Sequence, residues 1–291
     1  MSRRSGQWVG RLLRAGQRAA IRGGMDIRRY REFPPDFDPA TRHIHRQVAE
    51  FTLVSPCRTQ ALCSSIEYLV RHRIPGDIVE CGVWKGGSMM AAALTLNRLG
   101  ASGRDLWLYD TFDGLTAPSG LDVDITGRSA LDQMKECHPN LLPSRQGDRV
   151  VFAFASLEEV RHNMDTVQYR GGEIRFVKGP VEATIPHEIP AEIALLRLDT
   201  DFYSSTKHEL EHLVPRMAPG SILIVDDYGT WLGARRAVDE FLEGSGIPIY
   251  LSRIDETARM AVLGAPGGPG GPGGSGGPGG SGGQAPSLGS E

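Results

Sequence analysis

Residues 76–100, GDIVECGVWKGGSMMAAALTLNRLG, contain in one stretch the features that decide the fold. A short apolar run is followed by a turn with glycines at 82, 86 and 87, and then by an alanine-rich segment that ends at Gly100. A glycine directly after the last periodic residue is typical of a helix C-terminus. The stretch therefore predicts a strand, a glycine-rich turn and a helix.

The same alternation of strand and helix continues along the chain. Further strands are predicted at DLWLYDTF (105–112), EIRFVKG (173–179), IALLRLDTD (193–201) and SILIVDDYG (221–229). Helix-like segments lie near 57–73, 156–165, 203–216 and 231–243. Apolar strands separated by helices are typical of a parallel sheet covered on both faces. IPIYLS and ARMAVLG, on either side of RIDET, predict a last hairpin. We predict an α/β fold with a doubly wound, mostly parallel, seven-stranded sheet, helices on both faces and a C-terminal antiparallel hairpin.

The two ends of the chain differ from its middle. The first 25 residues carry arginines at 3, 4, 11, 14, 18 and 22 and no acid. Residues 1–29 are therefore expected to form a poorly ordered basic arm, although a transit peptide or an anchor to an anionic surface has a similar composition. Residues 265–291 are rich in Gly, Pro and Ser without the period of collagen, which predicts a disordered tail. Residues 30–264 are expected to form one domain with a helical N-terminal lid.

Composition excludes some classes of protein. The net charge of -3 gives no electrostatic reason to expect a nucleic-acid partner. No window approaches the roughly 18 apolar residues of a membrane span. The four cysteines form no CxxC pair. We expect a cytoplasmic protein, with at most weak membrane-surface association through the basic arm, and a homo-oligomer stays open.

Residues after the first three predicted strands suggest a cofactor site. In open α/β sheets, ligands bind outside the carboxyl ends of the strands. Asp110 ends the second strand, where a carboxylate can accept hydrogen bonds from both hydroxyls of a ribose, and this favours an adenosine-type ligand. The glycine spacing is not GxGxxG, and a tight turn without a ligand explains the glycines alone about equally well. Phe112 could stack on adenine or pack in the core. The predicted cofactor-binding residues are Glu80, Gly82, Gly86, Gly87, Ser88, Asp110, Phe112 and Gly179.

Four aspartates lie at the ends of the fourth and fifth predicted strands: Asp199, Asp201, Asp226 and Asp227. Alternation along a strand puts Asp199 and Asp201 on the same side. If the two strands are neighbours, the four carboxylates converge, and like charges that close are costly unless something neutralises them. Mg²⁺ prefers such oxygen ligands. In the alternative interpretation, Asp201 caps the helix that begins near Tyr203, and Asp226 and Asp227 are solvated turn residues.

Four blocks together resemble a known family: VECGVWKGGS, LYDTFDGL, RLDTDFYSST and IVDDYGTWLGARRAVDEF, which lie in this order between Ser55 and Asp255. They look like the macrocin O-methyltransferase family, metal-dependent enzymes that use S-adenosylmethionine to methylate sugar hydroxyls of macrolide and aminocoumarin antibiotics. The resemblance implies a class I methyltransferase fold with the predicted cofactor residues around S-adenosylmethionine. It also implies Asp199, Asp226 and Asp227 as Mg²⁺ ligands, with Asp201 or Asp199 as the general base. The acceptor would be a small molecule or glycan with free hydroxyls.

Two other activities have sequence support. HELEH (208–212) matches the HExxH pattern of zinc peptidases, with His208 and His212 one helical turn apart. No obvious third ligand follows it. The DTD at 199–201 also matches the metal motif of nucleotide-sugar glycosyltransferases. The glycine-rich first turn and Asp110 favour the methyltransferase arrangement over both.

Overall fold

Seven strands form one mixed sheet in the computed structural model, which describes residues 33–137 and 154–264. The strands are β1 (Asp77–Cys81), β2 (Leu106–Asp110), β3 (Ile174–Lys178), β4 (Ile193–Leu198), β5 (Met217–Val225), β6 (Ser252–Arg253) and β7 (Arg259–Val262). Their order is β3-β2-β1-β4-β5-β7-β6. The first five pair in parallel, and β7 pairs antiparallel with both β5 and β6. This confirms the predicted sheet and its last hairpin. The predicted basic arm and tail lie outside the described residues.

Helices cover both faces of the sheet. They are α1 (Pro39–Val48), α2 (Pro56–Arg71), α3 (Gly87–Leu99), α4 (Ala130–Cys137), α5 (Leu157–Thr166), α6 (Val181–Thr184), α7 (Tyr203–Leu213) and α8 (Leu232–Gly244). Local sequence explains the starts of α1 and α2. Asp38 and Ser55 accept hydrogen bonds from backbone amides of the first turn, and a proline follows each of them. Such a cap followed by proline is a strong start signal.

Strand alternation divides the core into two layers. Ile78, Leu195 and Ile224 face one layer, which includes Leu96 of α3. Their chain neighbours, such as Val79 and Leu196, face the other layer with the apolar side of α7 and α8. The same period of two turns Glu80, Arg197 and Asp226 toward the first layer, at the carboxyl ends of their strands. Three charged residues therefore meet on one side of the sheet.

The hairpin lies where it was predicted, but its first strand is shorter than predicted. Of IPIYLS, only Ser252 lies in β6. Pro248 cannot donate a backbone hydrogen bond, and short edge strands limit unwanted pairing with other chains. The preceding strand, β5, begins earlier than predicted, at Met217 and not at Ser221.

Gly87 is required because a segment of backbone crosses it. A Cβ at this position would lie 2.4 Å from the carbonyl oxygen of Phe51 and 2.6 Å from Cβ of Thr52. Gly87→Ala should therefore destabilise the protein by about 1–3 kcal/mol, the usual cost of overpacking. Urea unfolding of the variant would measure the change. Gly120→Ala is the control, since its Cβ would meet nothing within 4 Å. Equal stabilities of the two variants would contradict this account.

Candidate active site

A cavity opens at the carboxyl ends of β1, β2, β4 and β5. Phe51 to Val54, which precede α2, and Gly114 to Thr116, which follow β2, form part of its wall. Its lining includes these predicted site residues: Glu80, Gly82, Ser88, Asp110, Gly179, Asp199, Asp201, Asp226 and Asp227. The structure therefore brings the predicted cofactor and metal residues to one place.

Three predicted cofactor residues lie beside the cavity and do not line it. Gly86 is the N-cap of α3 and has a left-handed backbone, φ 86°, and Gly87 lies against Phe51. Phe112 is 3% exposed and belongs to the core, with its ring 6.4 Å from that of Phe176. The core interpretation of Phe112 accounts for this position. A cofactor contact by any of the three stays a prediction.

Gly82 allows the ends of β1 and β4 to approach closely. A Cβ there would lie 2.2 Å from the carbonyl oxygen of Asp199, and its φ of 82° is one that other residues rarely adopt. The amide of Asp199 donates to the carbonyl of Cys81 at 2.9 Å. The glycine turn therefore holds the aspartate strand in place beside it.

Three of the four aspartates form a cluster suited to a metal ion. Asp199, Asp226 and Asp227 each offer one carboxylate oxygen, and these oxygens lie within 4.8 Å of one another. Oδ2 of Asp227 is buried and has no hydrogen-bond partner among the described residues. Carboxylate oxygens are hard ligands, and an unpaired buried oxygen is a position that a cation can satisfy. The residues present therefore fit Mg²⁺.

The helix-cap interpretation of Asp201 is wrong. Phe202 is the N-cap of α7 and makes no side-chain cap. The amide of Tyr203 donates instead to Oδ1 of Asp122, at 2.8 Å. Asp201 has a left-handed backbone, φ 69°, and lines the cavity. Its carboxyl group therefore does not act as the cap of α7.

Arg197 is a residue of the site that sequence reasoning missed, as it missed Arg58 of the cavity lining. Arg197 lies in β4 directly opposite Glu80 of β1, and its side chain is 4% exposed. Its Nη1 donates to Glu80 and, at 2.7 Å, to Oδ2 of Asp199, while Nη2 donates to Oδ1 of Asp226 at 2.6 Å. The signal existed in the sequence as an arginine inside an apolar strand. Its partner could be identified only after β4 was placed beside β1.

Burial controls the ionisation of the site carboxyls. It raises the pKa of Glu80 to about 7, although Arg197 opposes the rise. Burial also raises the pKa of Asp201 to about 7, with the negative charge of Asp199 adding to it. The pKa values of Asp199 and Asp227 lie well above the ordinary range, again first because of burial. A bound cation would favour the ionised forms.

Asp110 joins two turns of the cofactor side. Its Oδ2 accepts the amides of Val83 at 2.8 Å and Trp84 at 3.1 Å, and its Oδ1 accepts the amide of Phe112 at 2.8 Å. The carboxylate thus orders the turns after β1 and β2 while still facing the cavity. Binding of ribose hydroxyls by Asp110 stays a prediction.

Residues 28–261 match the family model described as Macrocin-O-methyltransferase (TylF). The chain belongs to the macrocin O-methyltransferase family. Its class of reaction is therefore O-methylation, and the motif-based alternatives of glycosyl transfer and zinc hydrolysis give way to it.

Curated relatives in this family have similar lengths and similar chemistry in their names. The 8-demethyl-8-(2,3-dimethoxy-alpha-L-rhamnosyl)-tetracenomycin-C 4'-O-methyltransferase of Streptomyces olivaceus is 32% identical over 223 residues, covering 77% of this chain and 79% of the relative. Mycinamicin III 3''-O-methyltransferase of Micromonospora griseorubida is 30% identical over 204 residues, covering 70% and 75%. Among solved structures, the O-methyltransferase NovP is 28% identical with a TM-score of 0.60, covering 74% of this chain and 83% of that one. The fold is that of class I methyltransferases.

In this member of the macrocin O-methyltransferase family, the two histidines of the HExxH motif lie against backbone carbonyl oxygens and do not form a zinc site with other described residues. Nε2 of His208 lies 2.9 Å from the Ile185 carbonyl oxygen, and Nδ1 of His212 lies 2.8 Å from the carbonyl oxygen of His208. Glu209 is fully buried and accepts a hydrogen bond from Thr200. Within the part of the chain that the structure describes, no group of three metal-ligating side chains includes either histidine.

No described helix is long and apolar enough to cross a membrane.

A clamp holds the N-terminal wall of the cavity to the hairpin between β6 and β7. Oδ2 of Asp255 accepts hydrogen bonds from Ser55 at 2.7 Å and from Nε of Arg58 at 2.8 Å. Arg58 also donates to Asp226 and Thr257. One arginine thus connects the start of α2, the hairpin and a candidate metal ligand.

Asp255→Asn is expected to remove stability that depends on pH. Partial burial acts to raise the pKa of Asp255, but hydrogen bonds from Ala258, Ser55 and Arg58 outweigh it and hold the pKa well below the ordinary 3.8. A depressed folded-state pKa stabilises the protein above the unfolded-state pKa, and this contribution is lost as the pH falls. The free energy of unfolding of the wild type should exceed that of the variant by about 2 kcal/mol at pH 7. This difference should decrease below about pH 4. Urea unfolding at a series of pH values tests this, and a gap independent of pH would refute it.

Proposed function

We propose that this protein is an S-adenosylmethionine-dependent and Mg²⁺-dependent O-methyltransferase that methylates a sugar hydroxyl of a glycosylated natural product. The observation that carries the proposal is the carboxylate cluster of Asp199, Asp226 and Asp227 in the cavity that also contains the glycine turn and Asp110. The sugar acceptor is inferred from the rhamnosyl group in the name of the Streptomyces olivaceus relative.

The cofactor half of the site would lie between β1 and β2. Glu80 lines the cavity, and its Oε2 is buried without a hydrogen-bond partner among the residues described. Such an oxygen can accept a hydrogen bond from the ammonium group of S-adenosylmethionine. Asp110 and Gly179 also line the cavity and are joined by a backbone hydrogen bond of 2.9 Å, and the ribose would lie beside them. S-adenosylmethionine supplies an electrophilic methyl group.

The acceptor half would lie above the aspartate cluster. Asp199, Asp226 and Asp227 would hold Mg²⁺, which when bound lowers the pKa of a coordinated hydroxyl and stabilises the developing alkoxide. Asp201 lies beside this cluster and would accept the hydroxyl proton as general base. The cavity wall would hold the acceptor oxygen in line with the methyl group and keep water out, which provides the orientation that methyl transfer needs.

Titration calorimetry with S-adenosylhomocysteine, with and without Mg²⁺, tests the proposal. UDP-sugars and Zn²⁺ serve as controls for the glycosyltransferase and hydrolase motifs. Micromolar binding of S-adenosylhomocysteine would support the cofactor assignment and justify screening glycosylated acceptors. Binding of a UDP-sugar with Mg²⁺, and no binding of S-adenosylhomocysteine, would overturn it.

Metal removal should stop turnover without unfolding the protein. We expect a chelator to lower methyl transfer by at least about 10²-fold, since a cation contributes several kcal/mol to stabilisation of a developing alkoxide. Added Mg²⁺ should restore the activity. Transfer of a labelled methyl group measures the rate, and circular dichroism checks the fold. Full activity in the chelator would refute the metal requirement.

A further inference from the structure

Arg197 stands behind the active-site cavity and touches three of the carboxylates that line it. The exposed fractions of the Arg197, Glu80 and Asp226 side chains are 4%, 2% and 3%. Arg197 itself does not line the cavity. It therefore acts on any ligand through its carboxylate partners and not by direct contact.

The three partners belong to the two halves of the site. Glu80 lies one residue before the end of β1 on the cofactor side, whereas Asp199 and Asp226 directly follow β4 and β5 on the metal side. One nitrogen, Nη1, is shared by Glu80 and Asp199, and Nη2 serves Asp226. A guanidinium group has a rigid planar fork, so a change in its hold on one partner alters its hold on the others.

The charge balance explains what this sharing does. One buried guanidinium faces three carboxylates, and Arg58 helps to neutralise only Asp226. A cation held by Asp199 and Asp226 would neutralise part of their negative charge. Arg197 would then be left more fully to Glu80, whose Oε1 it already contacts and whose buried Oε2 has no hydrogen-bond partner among the described residues. Because coupling between two binding sites is reciprocal, a cofactor on Glu80 would favour the cation equally.

We propose that Arg197 is a positioning residue that couples the two halves, so that Mg²⁺ and S-adenosylhomocysteine each strengthen the binding of the other. This inference rests on the proposed function. It assigns to Arg197 a role beyond stabilisation of the core.

Calorimetry of the full chain measures the coupling directly as a ratio of dissociation constants. For the wild type, saturating Mg²⁺ should lower the Kd of S-adenosylhomocysteine by at least about 5-fold. Arg197→Lys keeps the charge but loses the fork, and it should reduce this ratio to below about 2-fold. The control is Arg58→Lys, which alters a contact to Asp226 and leaves Glu80 untouched. It should keep the wild-type ratio even if the affinity for Mg²⁺ falls.

A purely structural role for Arg197 would give a different result. Arg197→Lys would then lower the melting temperature and leave the ratio unchanged, and this outcome would overturn the inference. Removing a buried arginine can prevent folding. In that case Glu80→Gln provides the test, because it removes the charge of one partner of Arg197 with little change of shape. In this variant too, Mg²⁺ should no longer change the Kd of S-adenosylhomocysteine. Binding of S-adenosylhomocysteine that is independent of Mg²⁺ in the wild type refutes the coupling alone. No binding under either condition refutes the proposed function as well.

Discussion

Asp199→Asn is expected to lower the rate of methyl transfer by about 10³-fold while the protein stays folded. Asp199 offers one of the three carboxylate oxygens that lie within 4.8 Å of one another. An amide is a much weaker ligand for Mg²⁺, and the loss of several kcal/mol of stabilisation corresponds to a decrease of this size. The variant should also bind Mg²⁺ more weakly, as measured by calorimetry without any acceptor.

The fold should survive because Asn keeps the shape of the side chain. Arg197 retains Glu80 and Asp226 as partners when Asp199 loses its charge. Asp165→Asn is a matched control, since this exposed residue of α5 changes the net charge by the same amount and lies outside the cavity. Normal turnover and normal Mg²⁺ affinity in Asp199→Asn would show that the metal site is assigned incorrectly.

Hydrophobic pattern predicted the sheet because each strand is a short apolar run bounded by a turn and followed by a helix. These are local signals, and β1, β4 and α3 lie where those signals placed them. The N-terminal residues were expected to be helical, but α1 and α4 were not located. α1 buries only Thr41, Ile44 and Val48, and α4 has only eight residues, so neither segment offers a long apolar run in the sequence.

Site residues at the ends of strands could be predicted from the sequence. Site residues whose role depends on a partner far along the chain were missed. The strand ends predicted a cluster of four aspartates, and the family resemblance selected 199, 226 and 227, which the structure brings together. Arg197 requires the register between β4 and β1, which no local pattern encodes. The cap of α7 shows the same limit. Asp201 was the nearer candidate in sequence, but Asp122 accepts the amide of Tyr203 from a distant loop.

Asp201→Asn should separate the general base from the metal site. We expect the rate of methyl transfer to fall by about 10²–10⁴-fold, the usual contribution of a general base. The affinities for Mg²⁺ and S-adenosylhomocysteine should stay within about 2-fold of the wild type, because Asp201 is not one of the three clustered ligands. Transfer of a labelled methyl group and calorimetry measure the two effects independently.

The choice of Asn at this position follows from the backbone. Asp201 has φ 69°, a left-handed conformation that Asn adopts readily and most other residues avoid. Asp201→Ala would combine loss of the carboxyl group with strain in the turn that carries Asp199, so its effect could not be attributed to the base. Asp201→Asn removes the proton acceptor and keeps the turn. If this variant loses Mg²⁺ binding together with activity, Asp201 belongs to the metal site. If it keeps full activity, the base is another group, and Asp199 is then the next candidate.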